Sequence, residues 1–253
     1  EVIVEKEVPA PAKEKVLRAM TSQTYINFNP FGGLTGTQEQ VLTFLFSTLV
    51  MSDPVRQEWS PNLADRWDIA EDGSSYTFYI RKNALWHDGE PVTAKDVKFT
   101  FLTHLNPETA SILAASFLKV KGAQDFLDGK TDDVPGIVLL DDYTIRFDME
   151  EPTQLFMMSI FKRAILPEHI LGEVPLADMQ GNPYWLAPVG SGPFKFGKYI
   201  PDQLVEVEAN DDYYFGRPKL DKIQIIFFRT MDALQIAMQR GEVEWQMRDK
   251  FSP

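Results

Sequence analysis

Side chains able to do covalent or metal chemistry are few in this sequence and poorly spaced for it. Ser191 lies in Gly190-Ser191-Gly192-Pro193, but a nucleophile elbow needs glycines two residues either side of the serine, and Val189 and Pro193 occupy those places. The same stretch fails as a dinucleotide fingerprint because Lys195 stands where the third glycine belongs, and the chain has no Walker pattern. His87, His104 and His169 are far apart and none has a histidine partner at i,i+4, so a histidine zinc site would need the fold to assemble it. His87 precedes an Asp88-Gly89 turn and is expected to brace it. Cysteine is absent, which excludes disulfides, thiolate zinc sites and cysteine nucleophiles. Glu150-Glu151 and Asp211-Asp212 could suggest acid/base work. Adjacent residues on a strand face opposite ways, however, and 37 acidic residues in 253 make such neighbours by chance. No metal, no cofactor and no catalytic residue are therefore expected, and a hydrolase is the weaker reading.

A more promising cluster is Tyr25, Phe28 and Phe31, spaced around Asn27, Asn29 and Pro30 ahead of Gly32-Gly33. Aromatic residues on a loop can floor a ligand site, or they can pack beneath the loop as core; the sequence leaves both readings open.

The elements that must position these residues mix two periodicities. Thr37-Gln38-Glu39-Gln40 has the form of a capping box and leads into the apolar run Val41 to Met51, which predicts a buried helix. Thr93 to Asp96 repeats the device before Val97, Phe101, Leu102 and Leu105, with Asn106-Pro107 as the stop. Tyr76, Phe78 and Ile80 alternate with polar residues after Asp72-Gly73, as do Ile145 and Phe147 after Asp141-Asp142, which predicts two half-buried strands. Phe194 and Phe196, then Val205 and Val207, predict two more. Ile223 to Phe228 is a nearly unbroken apolar run, expected of a strand covered on both faces. Thr230 is placed to cap a helix through Leu234, Ala237 and Met238 that ends at Gly241, with another strand beginning at Val243.

Composition bounds the partners. Apolar residues make up 44% and charged residues 25%, ordinary globular values, and the net charge of −12 disfavours nucleic acid and anionic lipid. The longest apolar stretch is far short of the ~20 residues that span a bilayer. Residues 1–15 are charged, carry Pro9 and Pro11 and offer little to bury, so they are expected to form a tether. The last strand-helix-strand unit stands just before Pro253, and the natural protein is expected to continue beyond it.

One long ordered stretch adds a resemblance. Ser60-Pro61-Asn62-Leu63-Ala64-Asp65-Arg66-Trp67 through Asp72-Gly73, then Tyr76 to Lys82, then Trp86-His87-Asp88-Gly89-Glu90-Pro91-Val92-Thr93-Ala94-Lys95-Asp96-Val97, resembles the signature of family 5 extracellular solute-binding proteins. These are the peptide, nickel and opine receptors of bacterial ABC importers. Further marks follow in Pro188-Val189-Gly190-Ser191-Gly192-Pro193-Phe194, Asn210 to Tyr214, Pro218 to Ile223 and Gly241 to Glu244.

The resemblance implies an α/β fold, periplasmic-binding-protein-like, of the type II, three-domain variety. It places residues 16–46 and 180–253 in a discontinuous first lobe and 47–179 in an inserted domain, with the second lobe missing from this chain. It implies an extracytoplasmic receptor, in the periplasm or at the cell surface, that captures short peptides and delivers them to a membrane permease. Oligosaccharide, opine or nickel complex remain as alternative ligands, and lipid anchoring upstream of Glu1 remains open. A monomer with no nucleic-acid partner is expected. The ligand-facing residues it suggests are Thr24, Tyr25, Asn27 and Phe117, with Gly190, Ser191 and Gly192 approaching the cleft and hinge. For His87 it implies scaffold.

Overall fold

The computed structural model describes residues 14–23, 26–32, 34–53 and 55–247; most of the expected tether, along with Thr24 and Tyr25, lies outside the described residues. The elements in order are β1 (Val16–Thr21), α1 (Gly36–Leu45), β2 (Val50–Asp53), β3 (Glu58–Pro61), β4 (Ala64–Ile69), β5 (Ser75–Ile80), α2 (Ala94–Leu105), α3 (Ala123–Leu127), β6 (Ile137–Asp141) and β7 (Thr144–Asp148). Then come α4 (Phe156–Ile160), α5 (Glu168–Leu171), β8 (Phe194–Ile200), β9 (Leu204–Ala209), β10 (Lys222–Phe227), α6 (Met231–Gln239) and β11 (Trp245–Gln246). Four short 3-10 turns punctuate the long connections.

Two larger sheets divide these strands. The first has the order β11-β1-β10-β9-β8, with β1 parallel to both β10 and β11 and the β8-β9-β10 stretch antiparallel. β10, α6 and β11 form a crossover unit that leaves room for β1 between its strands. The apolar run in β10 is covered on both faces, as expected: Ile223, Ile225 and Phe227 enter the main core, while Ile226 packs with Met20, Leu234, Ala237 and Val243 under α6. Thr230 caps α6 by accepting from Ala233 N at 3.2 Å, although Met238, expected inside, is exposed.

The second sheet is an antiparallel β4-β5-β7-β6 arrangement whose inward residues are Tyr76, Phe78, Ile80, Ile145 and Phe147. Helix α2 lies across it. Phe101 of α2 sits 4.7 Å from the rings of both Phe147 and Phe117, and Phe156 of α4 is 5.1 Å from Phe147, so the layer is held by interlocking aromatic edges. The α2 start matches its sequence signal: the Asp96 carboxylate accepts from Thr93 N at 2.7 Å. It also accepts from Glu168 N at 2.9 Å, and Thr100 accepts from Leu166 N at 2.8 Å, which stitches the segment before α5 to the helix.

One helix start differs from expectation. α1 is capped by Thr35, not Thr37: Thr35 Oγ1 accepts from Gln38 N while Gln38 Oε1 accepts from Thr35 N at 3.0 Å. Both threonines satisfy the same pattern, but Thr37 is fully buried and its hydroxyl lies 3.2 Å from Thr21 Oγ1, so it ties the helix to β1 instead. α1 also stops at Leu45, where Phe46 turns extended, well before the apolar run ends.

Truncating Phe101 removes the centre of the aromatic layer. Phe101→Ala should cost about 3–5 kcal/mol, read as a lower urea midpoint with an unchanged m-value; a loss within experimental error would contradict the packing described.

Candidate functional site

The chain passes twice between the two sheets, once after α1 and once at residues 188–193, and the two passes lie against each other. Gly190 and Gly192 make this possible. A Cβ on Gly190 would stand 1.7 Å from Leu45 O, and one on Gly192 would stand 2.4 Å from Phe44 O, so only glycine fits at either place. Gly192 N donates to Leu45 O at 2.9 Å, and Ser47 Oγ donates to Ser191 O at 2.9 Å. Tyr214, from the loop after β9, brings its hydroxyl to 2.9 Å from Ser47 Oγ and 2.5 Å from Asn62 Oδ1.

His87 closes this junction. Its backbone N–H donates to Gly190 O at 2.7 Å, Gly190 N donates to its Nδ1 at 3.0 Å, and its Nε2 lies 3.1 Å from Gly192 O. Because Nδ1 accepts, the proton must be on Nε2, which then donates to Gly192 O. Burial pushes the imidazole down to about 4, so it is neutral near pH 7. The histidine expected to brace its own turn instead clasps a segment about a hundred residues away, and His169 supports the turn through Nε2 to Asp88 at 3.0 Å.

Ser191 is fully buried and its hydroxyl has no hydrogen-bond partner among the described residues. Both nitrogens of the nearby imidazole are committed to backbone groups. Serine and histidine are thus arranged as a structural clasp and not as nucleophile and base.

A separate pocket of about 200 Å³ opens between α1 and residues 162–164. Leu34, Leu42, Phe46 and Leu113 give it an apolar wall. Arg163 lines it half-buried, with Nε donating to Ser159 O at 2.9 Å, and burial lowers the guanidinium below its ordinary value. Beside it Lys162 pairs with Glu39 at 3.7 Å on the exposed side. His104 also borders this pocket; it is enclosed by Phe31 and Phe117, its Nδ1 is 2.8 Å from Ser111 Oγ, and burial pushes it down to about 3.

The remaining expected site residues do not converge. Asn27 borders a different pocket, of about 250 Å³, with Phe28, Trp185 and Tyr199, and its Oδ1 accepts from Asn29 N at 2.9 Å. Phe28 and Phe31 are buried, Phe28 with its ring edge-on to Phe196 at 5.7 Å, so these two loop aromatics are core. Phe117, expected to face ligand, is a correction: it has no exposed surface and is held between Phe101 and His104. Thr24 and Tyr25 lie outside the described residues. Sequence reading missed Arg163 altogether. Its signal was an adjacent basic pair, Lys162-Arg163, embedded in the apolar stretch from Leu155 to Leu166 of an acidic chain.

Among the described residues no group of three or more acidic or histidine side chains is placed to hold a metal ion, and no helix is long and apolar enough to cross a membrane.

Comparison with known proteins gives consistent matches. The model of the middle region of bacterial extracellular solute-binding proteins, family 5, matches residues 58–249. A Brucella ovis protein named "Putative ABC transporter peptide-binding protein" is 35% identical over 224 residues, 88% of this chain and 39% of that protein. The oligopeptide-binding protein AppA of Bacillus subtilis is 28% identical over 86% of this chain and 38% of its own. The structure of AppA in complex with a nonapeptide superposes with a TM-score of 0.81 at 26% identity, covering 92% of this chain and 44% of that one. NikZ of Campylobacter jejuni, in complex with Ni(L-His), shares the fold with a TM-score of 0.76 at 24% identity, covering 92% of this chain and 43% of its own. The chain thus spans about two fifths of the length of the curated relatives it matches.

The junction's protonation state sets a pH dependence. The unfolded chain's His87 protonates near 6.5 and the folded chain's near 4, so stability is full above the upper value and falls as pH drops through this window. At about 1.4 kcal/mol per unit the loss approaches about 3 kcal/mol, with His104 adding in the same direction. Urea midpoints of His87→Gln should fall less steeply from pH 6.5 to 4 than those of the parent; parallel slopes would show that His87 is not buried neutral. Gly190→Ala should lose about 3 kcal/mol at any pH.

Proposed function

The chain belongs to the bacterial extracellular solute-binding proteins of family 5, and on that premise we propose that it is the ligand-capturing part of an ABC importer's receptor for short peptides. The observation that carries the peptide reading is the size and lining of the pocket beside α1. At about 200 Å³ it suits one side chain or end group and not a whole solute. That is the arrangement expected of a receptor that pairs the ligand's main chain by hydrogen bonds, as an added strand does, and gives side chains separate pockets. The names of the relatives support it, since the Brucella ovis and Bacillus subtilis proteins above are named as peptide binders and a Bacillus subtilis protein 29% identical over 238 residues is a dipeptide-binding protein.

In this reading residues 16–46 and 180–253 form a first lobe around the five-stranded sheet, and residues 47–179 form a domain inserted between its two parts. Thr24, Tyr25 and Asn27 border the ligand, and Gly190 to Gly192 keep the two chain passes rigid where closure needs a fixed pivot. The ligand is buried when a second lobe closes over this surface, and the closed form is presented to the permease. The receptor works outside the cytoplasm as a monomer, whether or not an upstream segment anchors it to lipid.

A nickel complex or an opine is the second reading. NikZ with Ni(L-His) and a binding protein for mannopinic acid share this fold at TM-scores of 0.76, so the scaffold by itself admits other ligands.

Native mass spectrometry of the natural full-length protein, offered a mixed peptide pool with residues 1–253 measured alongside, tests the proposal. A distribution of retained peptide masses on the full-length protein, weaker on residues 1–253, is expected. Retention of one discrete sugar, opine or metal complex in place of peptides would overturn the peptide reading.

A further inference from the structure

Arg163 is a cation that the fold places but does not pair. The guanidinium's only hydrogen bond among the described residues runs from Nε to Ser159 O at 2.9 Å, and no carboxylate there lies within ion-pair distance of it. Arg81 is the comparable case, half-buried with Nε donating to Asn62 O at 2.6 Å and no carboxylate within ion-pair distance among the described residues, but its guanidinium lies over the Phe215 ring at 4.6 Å and not beside an apolar pocket. Lys198 and Lys222, for comparison, share the buried Glu206. The acid on the pocket wall, Glu39, pairs with Lys162 at 3.7 Å and lies beyond ion-pair distance of Arg163, where its charge offsets only part of what burial costs the guanidinium. With that pair neutralising itself and His104 held neutral, the pocket carries one net positive charge, and it belongs to Arg163.

The remaining N–H groups of this half-buried guanidinium reach solvent and have no protein acceptor among the described residues, so they are open to an acceptor that enters the pocket. Its planar fork matches a carboxylate with two parallel hydrogen bonds, and the apolar wall of Leu34, Leu42, Phe46 and Leu113 suits a hydrocarbon stem. The pocket holds about 200 Å³, enough for one such group. Resting on the reading of this pocket as part of the ligand surface, we infer that it takes a carboxylate of the ligand and that Arg163 is the residue that selects for it. That carboxylate comes either from an acidic side chain or from a peptide's own C-terminus, and both present the same chemistry.

The test uses the natural full-length protein and two matched peptide pairs, one differing by Glu against Gln inside the peptide and one by a free against an amidated C-terminus. Calorimetric titration should show that the acid member of one pair binds at least about tenfold tighter than its neutral partner, and which pair does so identifies the source. In Arg163→Met that ratio should collapse towards one, and Arg163→Lys should keep part of it, since it keeps charge but not the fork. An equal affinity within both pairs, or a preference that survives in Arg163→Met, would overturn the inference. If no peptide binds at all, the peptide reading fails by itself, and the Arg163 assignment is decided with hexanoate against hexanamide. Saturating shifts of the Leu34 and Leu113 methyl resonances by hexanoate alone, lost in Arg163→Met, support it; no shift, or shifts by both, overturn it.

Discussion

The structure depends on the close approach of two chain segments at a place where neither has room for a side chain. Residues leaving α1 and residues entering β8 cross with the Gly190 Cα directly against the Leu45 carbonyl, and the backbone groups brought together there are satisfied by Gly192 N, Ser47 and His87. Backbone groups at such a crossing must find partners inside the protein, because water is excluded, and only the Ser191 hydroxyl side chain is left there without one among the described residues. His87 is well suited because a neutral imidazole is one donor and one acceptor on a single rigid ring, and here it accepts from one glycine and donates to the other. Move this crossing, and the two sheets lose their relation to one another, along with the wall that α1 offers to the pocket beside Arg163.

A receptor of this family has two demands on its scaffold that pull in different directions. One surface must remain incompletely satisfied, so that a ligand has something to complete, while the body beneath must not shift as it does so. The aromatic layer of Phe101, Phe117, Phe147 and Phe156 and the doubly covered strand β10 answer the second demand. Arg163, in the role inferred for it, answers the first, being held in place by its Nε and by the proximity of the Phe117 ring, 5.9 Å from the guanidinium carbon, while the rest of its fork is left open.

Much of the scaffold was legible in the sequence because it rests on local patterns. The alternation in Tyr76 to Ile80, the capping residues Thr93 and Thr230 and the apolar run of β10 each report burial or backbone hydrogen bonding within a few residues. The cap of α1 shows the limit: Thr35 and Thr37 both satisfy the pattern, and the choice was made by Thr21, on a strand that the pattern does not see. The proposed ligand surface was less legible for the same reason. Phe117 was suggested only by the resemblance, and nothing local shows that α2 lies on top of it, while Arg163 drew no notice because an absent partner leaves no trace in a sequence. The clasp of His87 on Gly190 and Gly192 joins positions too distant for any spacing rule.

The placement of β1 has a consequence in time. It is the first strand among the described residues, yet it lies inside its sheet, flanked by β10 and β11, with Val16 opposite Lys222 and Ala19 opposite Trp245. Neither neighbour exists until some two hundred further residues have been made, which at roughly 5–20 residues per second is roughly 10–40 s of synthesis. The β4 to β7 sheet, whose strands pair over much shorter separations, has no such wait. Throughout that interval the five-stranded sheet cannot assemble, and the nascent chain keeps β1 without its partners. A polypeptide that leaves the ribosome in this order delays its own closure and exposes that strand to aggregation unless another protein holds it.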